Sequence, residues 1–143
     1  MPEGRPNNGP PIQQAEKLVG DLGERGIALD YSPASLKQLE SAVSRYPIGW
    51  SDQHQTLALL AGAYFGEVVR RNLGGQWYEQ IPPDGTTGLL VREENQIMVF
   101  PYAVLAKRLR QGGKTLPQLY EHVVGMTQLK VNFQLKQPDA PQG

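Results

Sequence analysis

Hydrophobic residues recur at helical spacing through the first half of the chain and at alternating spacing soon after Gly74-Gly75. Ile12, Ala15, Leu18, Val19 and Leu22 share one face, opposite Gln, Glu, Lys and Asp. That pattern predicts a first helix from Ile12 to about Arg25, with Gly26 as its stop. Ile27, Leu29 and Tyr31 then alternate, which suits a short strand or an extended connector. Ser32-Pro33 reads as an N-cap followed by proline at the first helical position, and Leu36, Leu39 and Val43 carry a second helix to about Arg45. The link Tyr46-Pro47-Ile48-Gly49-Trp50 is too apolar for a solvated loop, so Tyr46, Ile48 and Trp50 are expected to pack.

Ser51 or Asp52 caps the third helix. Leu57, Leu60, Ala61, Tyr64 and Val68 form one face, and Ala58, Gly62, Gly66 and Val69 form another. A helix apolar almost all round is buried on more than one side. Gly62 and Gly66, four residues apart, leave room for a second element to approach the backbone.

Beyond Gly74-Gly75, the runs Trp77–Ile81, Gly88–Arg92 and Gln96–Phe100 read as strands, separated by Pro82-Pro83-Asp84-Gly85 and Glu93-Glu94-Asn95. Pro101 opens a helix containing Val104, Leu105 and Leu109, closed by Gly112-Gly113. Thr115 with Gln118 forms a capping-box signature before Leu119, Tyr120, Val123 and Val124. Leu129, Val131, Phe133 and Leu135 alternate with Lys130, Asn132, Gln134 and Lys136, which argues for a fourth strand or an extension of the last helix. The expected class is α+β: N-terminal helices, an antiparallel three- or four-stranded β-meander, and two C-terminal helices. Residues 11–136 form the single domain, and residues 1–10 and 137–143 are expected to be disordered tails, because Pro, Gly, Asn and Gln bury little apolar surface.

Composition narrows the function. The 14 acidic and 14 basic residues balance, so the chain as a whole offers no field for nucleic acid or an anionic membrane. Cysteine is absent, which removes disulfides, thiol nucleophiles and thiolate metal sites together. The N-terminus lacks the apolar run of a signal peptide, and the longest apolar window, Leu57–Val69, is short and interrupted by Glu67. A cytoplasmic location is the default expectation.

The candidate chemistry centres on the third helix. Tyr64, Glu67 and Arg71 share one flank at three- and four-residue spacing, with Arg70 further round. A carboxylate beside a guanidinium is either a partly buried ion pair or a ligand-fixing group. Trp77 is expected as core or pocket wall, and Tyr102 could roof a pocket with it. Gly74-Gly75 follows its helix, whereas phosphate-cradling glycines precede one, so a helix-terminating turn is expected there. His54 lies thirteen residues from Glu67, roughly 20 Å along a helix axis, and reads as a surface residue near a helix start. With two histidines at no ligand spacing, no metal and no cofactor is expected. Lys107, Arg108 and Arg110, with Lys114 beyond, form the one concentrated basic stretch; it suits phosphate contact or a helix C-terminus.

The segment Ala63-Tyr64-Phe65-Gly66-Glu67 through Gly74-Gly75-Gln76-Trp77, with Pro101-Tyr102 and Lys107-Arg108-Leu109, resembles a bacterial family of small α+β proteins of unknown function. Their pattern is a Tyr-x-Gly-Glu helix followed by Gly-Gly-x-Trp. The resemblance spans roughly Leu36 to Val124 and implies an intracellular accessory domain, with no catalytic residues to carry over. The resulting expectation is a non-catalytic binding or protein-interaction module, regulatory or immunity-like, acting through Tyr64, Glu67, Arg70, Arg71, Trp77 and Tyr102 on a protein partner. The alternatives are a small-molecule-binding domain or enzyme using Glu67 in a pocket near Trp77, and a weak nucleic-acid binder through Lys107, Arg108 and Arg110.

Overall fold

A computed structural model describes residues 5–6, 9–79, 87–91 and 97–136, with side chains for 9–78, 88–91 and 97–128. Its axis is helix α3, Asp52–Leu73, in which every residue from Ala61 to Val69 is buried. The all-round apolar pattern demands this, because no single neighbour could cover it. Helix α1, Gly9–Gly23, and helix α4, Pro101–Gln111, pack along α3. The shorter α2, Leu36–Val43, and the long α5, Leu116–Lys136, pack on each other and also reach α3.

The sheet lies against the later part of α3. Strands β2 (Gly75–Glu79), β3 (Thr87–Val91) and β4 (Ile97–Val99) pair antiparallel, with Trp77 opposite Leu89 and Leu89 opposite Val99. A two-residue strand β1, Arg5–Pro6, adds to the outer edge of β2, giving the order β1-β2-β3-β4. Trp77, Leu89, Val91 and Val99 turn into the core beside Phe65 and Val69. The expected connections Pro82–Gly85 and Glu93–Asn95 lie outside the described residues, as does the expected tail 137–143.

Local chemistry sets the boundaries. Ile27 N–H returns to Leu22 C=O at 2.9 Å around Gly26, whose φ of +84° ends the α1 segment. Ser32 Oγ accepts Ser35 N–H at 3.1 Å, starting a 3₁₀ turn over Pro33–Ser35 that runs into α2. Ser51 caps α3, and the reciprocal bond of its capping box comes from His54 instead of an acid: Ser51 N–H donates to His54 Nδ1 at 3.1 Å. That fixes the proton on His54 Nε2, which donates to Pro47 C=O at 2.6 Å. His54 is therefore buried and ties the Tyr46–Trp50 link to α3, in contrast to the surface position expected from its place in the first turn. Thr115 and Gln118 form the expected capping box at the start of α5.

Several expectations are corrected. Residues 129–135 belong to α5 and form no strand. The helix is already nucleated at Thr115 and meets no proline beyond Pro117, so its backbone bonds continue through a stretch whose alternation suits a strand equally well. Of the two alternatives for Ile27–Tyr31, the strand is absent and the segment is a connector: Leu29 is buried, and the backbone is tied to side chains of α3. Ile48 is 58% exposed, whereas Tyr46 packs edge-on to His54 and Trp50 lies beneath Arg110. Within the first ten residues, Arg5–Pro6 pairs with β2 and Gly9–Pro10 already belongs to α1. No helix among the described residues is long and apolar enough to cross a membrane.

Candidate functional site

Glu67 sits at the junction of α3 and the sheet with no exposed surface. Arg70 donates to it twice, Nε to Oε2 at 2.7 Å and Nη2 to Oε1 at 2.9 Å. Arg71 Nε donates to Oε1 at 2.9 Å, and Trp77 Nε1 donates to Oε2 at 2.8 Å. Both carboxylate oxygens thus hold two donors each. Burial alone would raise the Glu67 pKa, but the bonds from Arg70, Trp77 and Arg71 together outweigh it and hold the carboxyl below its ordinary range. The same contact raises the pKa of Arg70.

The glycines explain how an indole reaches a helix carboxylate. A Cβ on Gly66 would lie 2.2 Å from Trp77 Cη2 and 2.9 Å from Pro101 Cγ. One on Gly62 would lie 2.9 Å from Tyr102 Cδ1 and 3.0 Å from Tyr102 Cα. The two notches seat Trp77 and the start of α4 directly on the α3 backbone. Gly74 and Gly75 make the intervening turn with positive φ, and a Cβ on Gly75 would meet Leu90 O at 2.6 Å. Tyr102 then stands 5.9 Å from the Trp77 ring, and its hydroxyl donates to Gln14 Oε1 of α1 at 2.6 Å. Burial and the charge of Glu67 push the Tyr102 pKa up to about 12.

Tyr64 meets the segment before α2 and not the sheet. Its hydroxyl accepts Tyr31 N–H at 2.8 Å and bonds Ser35 Oγ at 2.6 Å, while its ring stacks on Tyr31 at 4.9 Å. Tyr31 was absent from the sequence-derived group. It has φ +65°, a left-handed conformation that costs a tyrosine about 1 kcal/mol or more. Asn72 Nδ2 donates to its carbonyl at 2.9 Å, and the Arg71 guanidinium lies 3.7 Å from its ring centroid. No pattern of apolar spacing marks such a residue. The nearest clue was Asp30-Tyr31-Ser32-Pro33, where a helix cap forces the preceding chain to turn.

Of the six residues proposed from sequence, the structure brings Glu67, Arg70, Arg71 and Trp77 into one bonded group. Tyr102 adjoins it through Trp77, and Tyr64 adjoins it through Tyr31. Tyr64, Glu67 and Trp77 are fully buried, Tyr102 is partly exposed, and the side chains of Arg70 and Arg71 are 26% and 37% exposed. Four cavities among the described residues have walls that include neither Glu67 nor Trp77, and one of them, about 310 Å³, is bordered by Tyr102. The group braces α3, β2 and α4 against one another.

The basic stretch is also largely engaged. Arg108 bonds Glu40 of α2, whose other oxygen accepts Leu116 N–H at the start of α5 at 3.0 Å. Arg110 stacks over Trp50 at 4.4 Å. Lys107 and Lys114 stay exposed.

Those two lysines border the feature that the sequence reading missed. A groove runs between α4 and α5. One chamber, about 340 Å³, is walled by Phe65, Met98, Phe100, Val104, Val123 and Met126. A second, about 450 Å³, adjoins it and is bordered by Lys107, Arg108, Gln111, Lys114 and His122. Both share Val104, Lys107, Leu119 and His122, so they form one continuous trough. On α5, Leu119, His122 and Met126 make a second stripe beside the buried Leu116, Tyr120, Val123 and Thr127. That double stripe is legible in the sequence as one wall, but not the gap it borders. No group of His, Cys, Asp or Glu suited to a metal ion occurs among the described residues. Comparison of the chain with protein-family models, curated proteins and solved structures finds no match.

Proposed function

We propose that this chain is a non-catalytic binding module whose ligand surface is the trough between α4 and α5, with the Glu67 group bracing α3, β2 and α4 behind its α4 wall. The observation that carries the reading is the saturation of Glu67. A general base needs a lone pair directed at a substrate proton, and each Glu67 oxygen already accepts two donors with no surface exposed. The enzyme alternative built on Glu67 therefore has no support in the geometry. The nucleic-acid alternative loses Arg108 to Glu40 and Arg110 to Trp50. The trough, in contrast, has the size of a small-ligand site, with a mainly apolar inner chamber and polar groups gathered at the outer one.

The trough is tested with anilinonaphthalene sulfonate, an apolar anion that fluoresces on leaving water. The native protein should bind it saturably, with amide shifts confined to α4, α5 and β4. Ala103→Trp, at an exposed position on the chamber wall, should abolish that response without unfolding the chain. Absence of a saturable response in the wild type, or shifts centred on Arg70 and Arg71, would move the binding surface elsewhere.

A further inference from the structure

The two halves of the trough differ in chemistry, and the difference specifies an occupant. The inner chamber presents hydrocarbon and two methionine side chains, Met98 and Met126, which adapt to irregular apolar shapes. Phe100 stands at its edge, 37% exposed, where Gly88 leaves room for it: a Cβ there would lie 2.9 Å from Phe100 Cε1. The outer chamber has Lys107, Lys114 and His122 around its mouth and no carboxylate on its walls among the described residues. Arg108, also on that wall, has its Nη2 on Glu40 and a buried Nε without a partner. Lys107 and Lys114 have no carboxylate within ion-pair distance among the described residues. A long-chain cation would be repelled here, and a purely apolar molecule would draw no contact from the two lysines.

We infer that the trough binds a single-chain amphipathic carboxylate of the fatty-acid class, its chain in the Phe65–Met126 chamber and its headgroup among Lys107, Lys114 and His122. This rests on the reading of the trough as the ligand surface. The inner volume of about 340 Å³ is at the lower end for small-ligand sites, which selects one chain of middle length over a diacyl lipid. Lys107 lies on both chambers, at the point where chain gives way to headgroup.

The experiment is an amide-shift titration of the full chain with three probes: decanoate, decanol and acetate. Decanoate should bind saturably, with the largest shifts at Ala103, Val104, Leu119 and His122, and at least about tenfold more tightly than either control. Replacing Lys107 and Lys114 together by Glu should weaken decanoate by about tenfold or more while leaving decanol unchanged. The spectrum of each variant reports that it remains folded. Equal affinity for decanol and decanoate would overturn the headgroup assignment, and equal affinity for acetate would overturn the chain assignment. If anilinonaphthalene sulfonate occupies the trough but decanoate does not, the ligand class is wrong while the surface stands. If neither binds there, the surface itself is wrong.

Discussion

Trp77 and Glu67 meet across the turn between α3 and β2, the indole N–H donating to Oε2 at 2.8 Å while the ring lies on the bare backbone of Gly66. A side chain at 66 would displace the ring, and without the indole N–H the buried carboxylate would lose one of its four donors. Arg70 and Arg71 supply the rest, so a helix, a strand and the start of α4 are fixed by one carboxylate and two glycines.

Gly66→Ala is expected to destabilise the protein by about 1–3 kcal/mol, because a rigid ring and Pro101 oppose the new methyl. The gain in helix propensity, about 1 kcal/mol, is too small to reverse that sign. Gly20→Ala is the internal control. Nothing lies within 4 Å of its added Cβ, so it should stabilise by about 0.4–1 kcal/mol. Urea unfolding of both variants checks the pair, and a stabilised Gly66→Ala would contradict the packing.

Ser51→Ala removes one half of the α3 cap and should cost about 1 kcal/mol. His54→Ala should cost more, about 1–3 kcal/mol, since it also leaves Pro47 C=O without its donor. Thermal melts of the two variants and the double variant test the coupling. Strictly additive losses would show that the reciprocal bonds do not act together.

The pH dependence has opposite signs at the two ends. Glu67 has a folded pKa below its ordinary 4.5, so its contribution is complete above that value and is lost as pH falls through the folded pKa. The stability gap between wild type and Glu67→Gln should therefore be constant near neutrality and narrow on acidification. Tyr102 has its pKa raised from 10.0 to about 12, so its contribution is complete below the lower value and is lost as pH rises toward the upper one. The gap to Tyr102→Phe should shrink over that alkaline window. A gap widening in either direction would contradict the charge states assigned.

Oligonucleotides should bind no more tightly than about 100 μM at physiological salt, the weak end of non-specific association. Fluorescence anisotropy with labelled single- and double-stranded probes measures this directly. A salt-sensitive micromolar complex lost on replacing Lys107, Arg108 and Arg110 would restore the nucleic-acid reading.

Much of the fold was legible because caps and glycines act locally. Ser51, Thr115 with Gln118, Gly26 and Gly74-Gly75 each mark a boundary that the structure shares to within a few residues. The Gly62/Gly66 notch was legible as close approach, but not what fills it, since Pro101, Tyr102 and Trp77 come from distant segments. Residues 129–135 misled because seven alternating residues fit either period once a helix is already running into them. The Glu67–Arg71 bond followed from helical spacing, whereas Arg70, expected further round the helix, makes the two-bond contact, and the burial of the group depended on Trp77 arriving from the sheet. The trough was not readable, because its walls come from α3, β4, α4 and α5 and only their assembly leaves a gap.

Glu67→Gln, measured for stability and for trough binding on the same sample, tests the central claim most directly. Loss of the charge leaves two guanidinium groups partly buried without their partner, so stability should fall by about 2–4 kcal/mol, between the exposed and fully buried limits. The folded fraction should still bind anilinonaphthalene sulfonate in the α4–α5 trough with unchanged affinity. A variant as stable as wild type that has lost its binding would place Glu67 in the ligand site and contradict its role as a brace.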